Sequence, residues 1–152
     1  MAQPVDPGLL IPGYSGRFYK SDGSRWATCT QWELQLSITS TDEQPLGTFW
    51  LMAVAQSGSA TLTVSELVID DAIMAEFLAG IQDPQNPNIP QYRFIGERTR
   101  PDGLVSTLTI DGCTLDGTNR IAAAIPGETM TRDLTFRVSS IPDPAGLFPA
   151  TA

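Results

Sequence analysis

Between residues 31 and 39 apolar and polar side chains alternate without a break. Trp32, Leu34, Leu36 and Ile38 fall on one side, and Gln31, Glu33, Gln35, Ser37 and Thr39 on the other. A repeat of two residues is that of an extended strand; a helix would scatter the same apolar residues around its axis. The segment therefore commits the chain to a β-sheet with one face toward a core and the other toward polar surroundings. Residues 59–64 repeat the pattern, with Ala60, Leu62 and Val64 opposed to Ser59, Thr61 and Thr63. Strands are also predicted at 91–98, 104–111 and 129–139. The last puts Met130, Leu134, Phe136 and Val138 on a face that Arg132 interrupts. Asp22-Gly23, between the aromatic run 16–20 and Arg25, has the chemistry of a tight β-hairpin turn.

One helix is predicted, over 70–79. Asp70 or Asp71 would cap its N-terminus, Gly80 would stop it, and Ile73, Met74, Phe77 and Leu78 would form one apolar stripe. The Pro/Asn segment 83–90 reads as a loop. At 152 residues the chain is one domain, 1–152, because a second would lack a core. Its ends read as extended arms. Arm 1–13 carries Pro4, Pro7 and Pro12 around Leu9, Leu10 and Ile11; arm 141–152 carries Pro142, Pro144 and Pro149 around Leu147 and Phe148. Apolar side chains on both arms suit docking onto a neighbour. The longest stretch without a regular pattern is 40–58, an expected loop with Asp42 and Glu43 at its base and Phe49, Trp50, Leu51 and Met52 beyond. That run is either a short buried strand or the tip of a projecting hairpin that another subunit covers.

Catalysis finds little support. There is no histidine, which removes the usual general base and metal ligand, together with histidine triads and HExxH zinc sites. Asp70-Asp71 are explained by the helix start. The segment 111–119 (DGCTLDGTN) lacks the spacing and closing glutamate of a calcium loop, and reads as two turns around a short strand. Gly13 and Gly16 do not make a dinucleotide fingerprint. Cofactors and metals are expected to be absent. The net charge of −8, with nine basic residues of which only Lys20 is a lysine, provides no stripe for a nucleic-acid backbone. Low charge and plentiful Ser and Thr suit a surface covered by copies of itself. Cys29 and Cys113 show no CxxC spacing, the N-terminus lacks a secretory pattern, and no apolar run reaches the length of a membrane span. Cytosolic synthesis and free thiols are expected.

The order of elements carries more than any motif. The opening GYSGRFY at 13–19 with its DG turn is followed by the strand at 32–39, the acidic segment 40–47 and a Thr-rich strand. Then come a helix ending Leu78-Ala79-Gly80, the strand at 91–98 after a proline loop, LTIDGCTL, and the closing DLTFRV. Over roughly residues 8 to 148 this order resembles the tail tube proteins of long-tailed bacteriophages, particularly the XkdM-like tubes of contractile tails. The scarcity of lysine departs from many members of that family.

The resemblance implies a mainly β fold, a β-sandwich or half-open barrel with one flanking helix. Six copies would form a ring in which sheets join into one large barrel, and rings would stack into a hollow tube that delivers DNA to the host. It implies a structural virion protein and no enzyme, located in the virion tail and assembled in the host cytoplasm. Implied partners are copies of itself, the sheath, baseplate and tail terminator proteins, and a tape measure protein in the lumen, with DNA in transient, non-specific passage. Gln31, Glu33, Gln35, Ser59, Thr61 and Thr63 are the lumen candidates, since a passing polyanion calls for an acidic or hydroxyl-lined wall. Asp42, Glu43 and 49–52 are the candidates for ring-to-ring contact, with Arg98 and Arg100 as the cationic partners. From another class, a monomeric β-sandwich binding module, carbohydrate-binding or baseplate-associated, would use Trp26, Trp32 or Trp50 as a stacking platform.

Overall fold

The computed structural model describes residues 9–149. Its elements are β1 (Arg17–Tyr19), β2 (Cys29–Glu43), β3 (Met52–Leu67), α1 (Ala72–Gly80), β4 (Tyr92–Thr99), β5 (Val105–Leu115) and β6 (Thr131–Val138). The strands make one antiparallel sheet in the order β1-β4-β5-β6-β3-β2.

The sheet turns a corner within β5. Strand β5 pairs with β4 from Val105 to Cys113 but with β6 only over Cys113–Leu115, so it changes partner at its C-terminal end. Gly112 sits at the change with φ of 66°, left-handed backbone that a side chain would strain. The β1-β4-β5 half thereby folds over the β6-β3-β2 half. Phe94 of β4 meets Phe136 of β6 with ring centroids 5.1 Å apart. Phe18 of β1 stacks on Trp32 of β2 at 5.6 Å, although these are the first and last strands of the sheet. The result is the expected half-open barrel with a flanking helix. At Gly96 a Cβ would lie 2.6 Å from the Trp32 ring, so glycine there lets the two edges approach.

The core between the halves contains Phe18, Trp26, Leu62, Val64, Phe94, Ile110, Cys113, Leu134 and Phe136. Alternation puts them there: on β3, Ala60, Leu62, Val64 and Glu66 are buried while the residues between them are half-buried. The Asp22-Gly23 turn forms as expected, with Lys20 N–H donating to the Ser24 carbonyl and Tyr19 bridged to Arg25.

Several sequence expectations change. Segment 40–58 is not an irregular loop. Strands β2 and β3 pair from Cys29↔Glu66 out to Glu43↔Met52, so most of it is the outer half of one long hairpin with a turn at 44–51. Leu36 and Ile38 do not face the core; they are 71% and 58% exposed because the hairpin runs past the opposing sheet half. Asp111-Gly112 is not a turn but part of β5, where the kink serves the corner. The helix covers 72–80, and its N-cap residue Asp71 makes no capping bond. Asp70 Oδ1 instead accepts from the Ala72 N–H. Of the apolar stripe only Met74 is fully buried.

Candidate functional site

The lumen candidates lie together. In the β2–β3 register Glu33 faces Thr63, Gln35 faces Thr61 and Ser37 faces Ser59, all on the sheet face away from the core. Strand β6 extends that face, with Arg137 opposite Thr61, Thr135 opposite Thr63 and Asp133 opposite Ser65. Sequence reasoning missed Asp133, Thr135 and Arg137, because pairing across 70 positions of chain leaves no local trace. Neighbours tie the face down: Gln35 Nε2 donates to Glu33 Oε1 at 2.6 Å, and Ser65 Oγ to Asp133 Oδ1 at 2.7 Å. It is a continuous amide- and hydroxyl-rich wall with few charges.

The outer half of the hairpin is different. A bulge between Thr39 and Ser40 leaves Gln56 unpaired opposite them and re-aims the strand beyond it. At the turn Leu46, Phe49, Trp50, Leu51 and Met52 are all exposed, Phe49 to 92% and Trp50 to 77%. Of the two readings of this run, the projecting hairpin is the one the fold adopts. Asp42 and Glu43 end β2 at the base of the turn, with no cationic side chain within salt-bridge distance among the described residues.

Where the barrel stays open, between β1 and the free edge of β2, runs a cleft of about 920 Å³. Its floor includes Phe18, Trp26, Trp32 and Leu34, and its mouth includes Ile11, Ile141 and Leu147 from the two arms. The C-terminal arm lies against its own chain. Ser106 Oγ donates to the Gly146 carbonyl, and the Phe148 ring sits under the Arg98 and Arg100 guanidiniums at 5.1 and 5.5 Å. Leu9 is half-buried, while Leu10 and Ile11 are exposed. Within the chain Arg100 holds Asp102 through three hydrogen bonds of 2.6 to 3.1 Å. That pairing keeps the Asp102 carboxyl below its ordinary range.

A buried ion cluster joins the helix to the sheet. Arg132, 2% exposed, donates to Asp71 Oδ1 and to the Ile121 carbonyl at 2.8 Å, and lies 3.6 Å from Glu66. Trp26 Nε1 donates to Glu66 at 2.9 Å. One guanidinium thus pins the helix start, the 116–130 segment and the end of β3, which explains the charge interrupting the β6 face. Burial pushes the Glu66 carboxyl above its usual range. It also raises the Cys113 thiol to about 12 and lifts Cys29 less. Both thiols are free.

Nothing in these surroundings assembles a nucleophile with a base. Among the described residues no group of three acidic or cysteine side chains is placed to hold a metal ion, and no helix is long and apolar enough to cross a membrane. Nor do the tryptophans form a platform: Trp26 is 3% exposed, Trp32 packs against Phe18, and only Trp50 is in solvent.

No family model matches the sequence, and no curated protein matches it. Solved structures do share its fold. A chain from the extended sheath–tube complex of the PVC extracellular contractile injection system is 15% identical with a TM-score of 0.60, over 88% of this chain and 91% of that one. A chain from the tube-terminating cap of the anti-feeding prophage is 15% identical with a TM-score of 0.64, over 90% and 91%. A chain from the sheath/tube terminator of the PVC system is 13% identical with a TM-score of 0.65, over 88% and 96%. The fold is therefore that of a contractile-tail tube-like protein.

Proposed function

We propose that this chain is a structural subunit of a tail tube, without catalytic activity. Hexameric rings of it would stack into a hollow conduit that delivers DNA. The observation that carries the reading is the sheet order. Strand β2, fifteen residues long, stands at the sheet edge with one side of its backbone unpaired, and the polar wall of β2, β3 and β6 runs up to that edge. A long unpaired edge is an aggregation hazard unless another strand or chain covers it. A ring in which neighbouring sheets continue one another removes it by closure. The wall would then line the lumen, where sparse charge and hydroxyls let DNA slide without the phosphate contacts that hold it.

On this reading the subunit assembles in the host cytoplasm and resides in the virion tail. Its partners are its own copies, the sheath, baseplate and terminator proteins, and a tape measure protein in the lumen. The contractile-tail assemblies that share the fold favour this reading over a monomeric binding module, which lacks its tryptophan platform. Multi-angle light scattering and negative-stain microscopy of the purified protein test it. Rings or tubes about one large barrel wide are expected, and a monomer at every concentration overturns the reading. Assembled protein should fail to shift duplex DNA in a gel at physiological salt, because no cationic cluster lines the wall.

A further inference from the structure

We infer that the C-terminal arm, residues 139–149, is a strap that shuts the free edge of β5 against a second copy of the chain. The edge in question is not that of β2, which the tube reading gives to a neighbour, so the inference stands apart from that reading.

Strand β5 has β4 on one side from Val105 to Cys113, while on its other side β6 meets it only at Cys113–Leu115. Over 105–111 one side of its backbone therefore faces no strand. Hydrogen-bonded pairs alternate along an antiparallel ladder, and the Arg100 N–H donates to the Leu104 carbonyl. Counting on from that pair, Arg98–Ser106 and Gly96–Leu108 bond across the ladder, and Val105, Thr107 and Thr109 turn their N–H and C=O groups to the free side. Such a row, between buried Ser106, Leu108 and Ile110, is a template for a strand from another molecule.

The arm runs back along that free side. Ser139 N–H donates to the Gly112 carbonyl at 3.2 Å, and further on Gly146 lies against Thr107 and Leu108. A Cβ at Gly146 would fall 2.3 Å from the Thr107 carbonyl oxygen, so glycine is what lets the arm come this close. Buried Ser106 accepts from Arg98 and donates to the Gly146 carbonyl at 2.5 Å. Phe148 then sits beside the Arg98 and Arg100 guanidiniums and ends the strap at the tip of β4. Between these two anchors the arm touches little, since Ile141 is 94% exposed. Nor is the arm a strand. Asp143 caps a single 3-10 turn at Pro144–Gly146, and Pro142 and Pro144 have no N–H to offer a ladder. The strap thus covers the edge without extending the sheet, and offers a second copy no edge of its own.

Gly146→Ala in the full chain tests this, because the added methyl meets main chain that cannot give way and lifts the anchor. The core should keep its unfolding transition. If the parent opens its strap in about a tenth of molecules, the variant should associate at about a tenfold lower concentration in light scattering. Micrographs should show irregular aggregates beside whatever the parent forms. A synthetic peptide of residues 139–149 in excess should return the variant to the parent's behaviour, and the same peptide carrying Gly146→Ala should not. Phe148→Ala, which removes the other half of the anchor, should act in the same direction, and carries the test if Gly146→Ala does not fold. Variants that fold and associate no more than the parent, or whose association the native peptide leaves unchanged, overturn the inference. So do two variants that both unfold, since the arm would then belong to the core. None of these outcomes touches the tube reading, which the assembly of the parent alone decides.

Discussion

The two halves of the β2–β3 hairpin share one ladder and nearly one sequence pattern, yet meet opposite fates. In the inner half Trp32, Leu34, Leu62 and Val64 pack into the core; in the outer half Leu36 and Ile38, on the same face, stand in solvent. What differs is the layer across from them. The β1-β4-β5 half covers the strands as far as Ala60 and then ends, so the same alternation builds a core on one side and leaves its apolar side chains uncovered on the other.

The comparison breaks first at the core. Phe136→Ala should cost the protomer about 3 to 5 kcal/mol in urea unfolding, since Phe136 is fully buried against Phe94 and Tyr92. Arg132→Ala should cost a similar amount, about 3 to 5 kcal/mol, because it strands Glu66 beneath the helix. If either loses less than 1 kcal/mol, roughly the mean for point mutants, the closed half is looser than its packing implies. Gly96→Ala should cost about 1 to 3 kcal/mol by pushing on the Trp32 ring. A neutral result would mean the two sheet edges separate easily.

The outer half should respond in the opposite way. Phe49→Ser/Trp50→Ser, and separately Leu36→Ser/Ile38→Ser, should change protomer stability by no more than about 0.5 kcal/mol. Both should reduce the assembled fraction in light scattering. A variant that unfolds would place these residues in the protomer core after all.

The smallest effect expected is a slope in pH. A Glu66 carboxyl raised by burial holds its proton longer in the folded state than in the unfolded chain. Its contribution to stability is therefore greatest at low pH, and declines as pH rises from the ordinary glutamate range through the raised value. As pH rises above the ordinary glutamate range, about 4.3, the stability of the parent minus that of Glu66→Gln should fall. A rise would mean that Arg132 outweighs burial in setting that charge.

Much of this architecture was legible in the chain. Periodicity located the strands around 31–39, 59–64 and 91–98, and the apolar stripe located the helix, because strand and helix repeats are local. The hairpin beyond residue 39 was not, since its residues break the alternation at the bulge and no core enforces a pattern there. Asp71 and Arg132 were read separately, as a cap and as an interruption, because their contact joins positions 61 residues apart.

The sequence by itself determined that this is a β chain without histidine chemistry, with acid and no base along its longest hairpin, and with an element order that resembles that of tail tube proteins. Each of these is written in residue types or in short-range spacing. Tertiary structure alone decided that β5 turns a corner at Gly112, that Trp32 closes on Gly96 to leave the barrel half open, and that the core ends before Leu36. Those are long-range packing outcomes: an apolar side chain states that burial is favourable, but only the layer that folds across it determines whether the same chain supplies the cover.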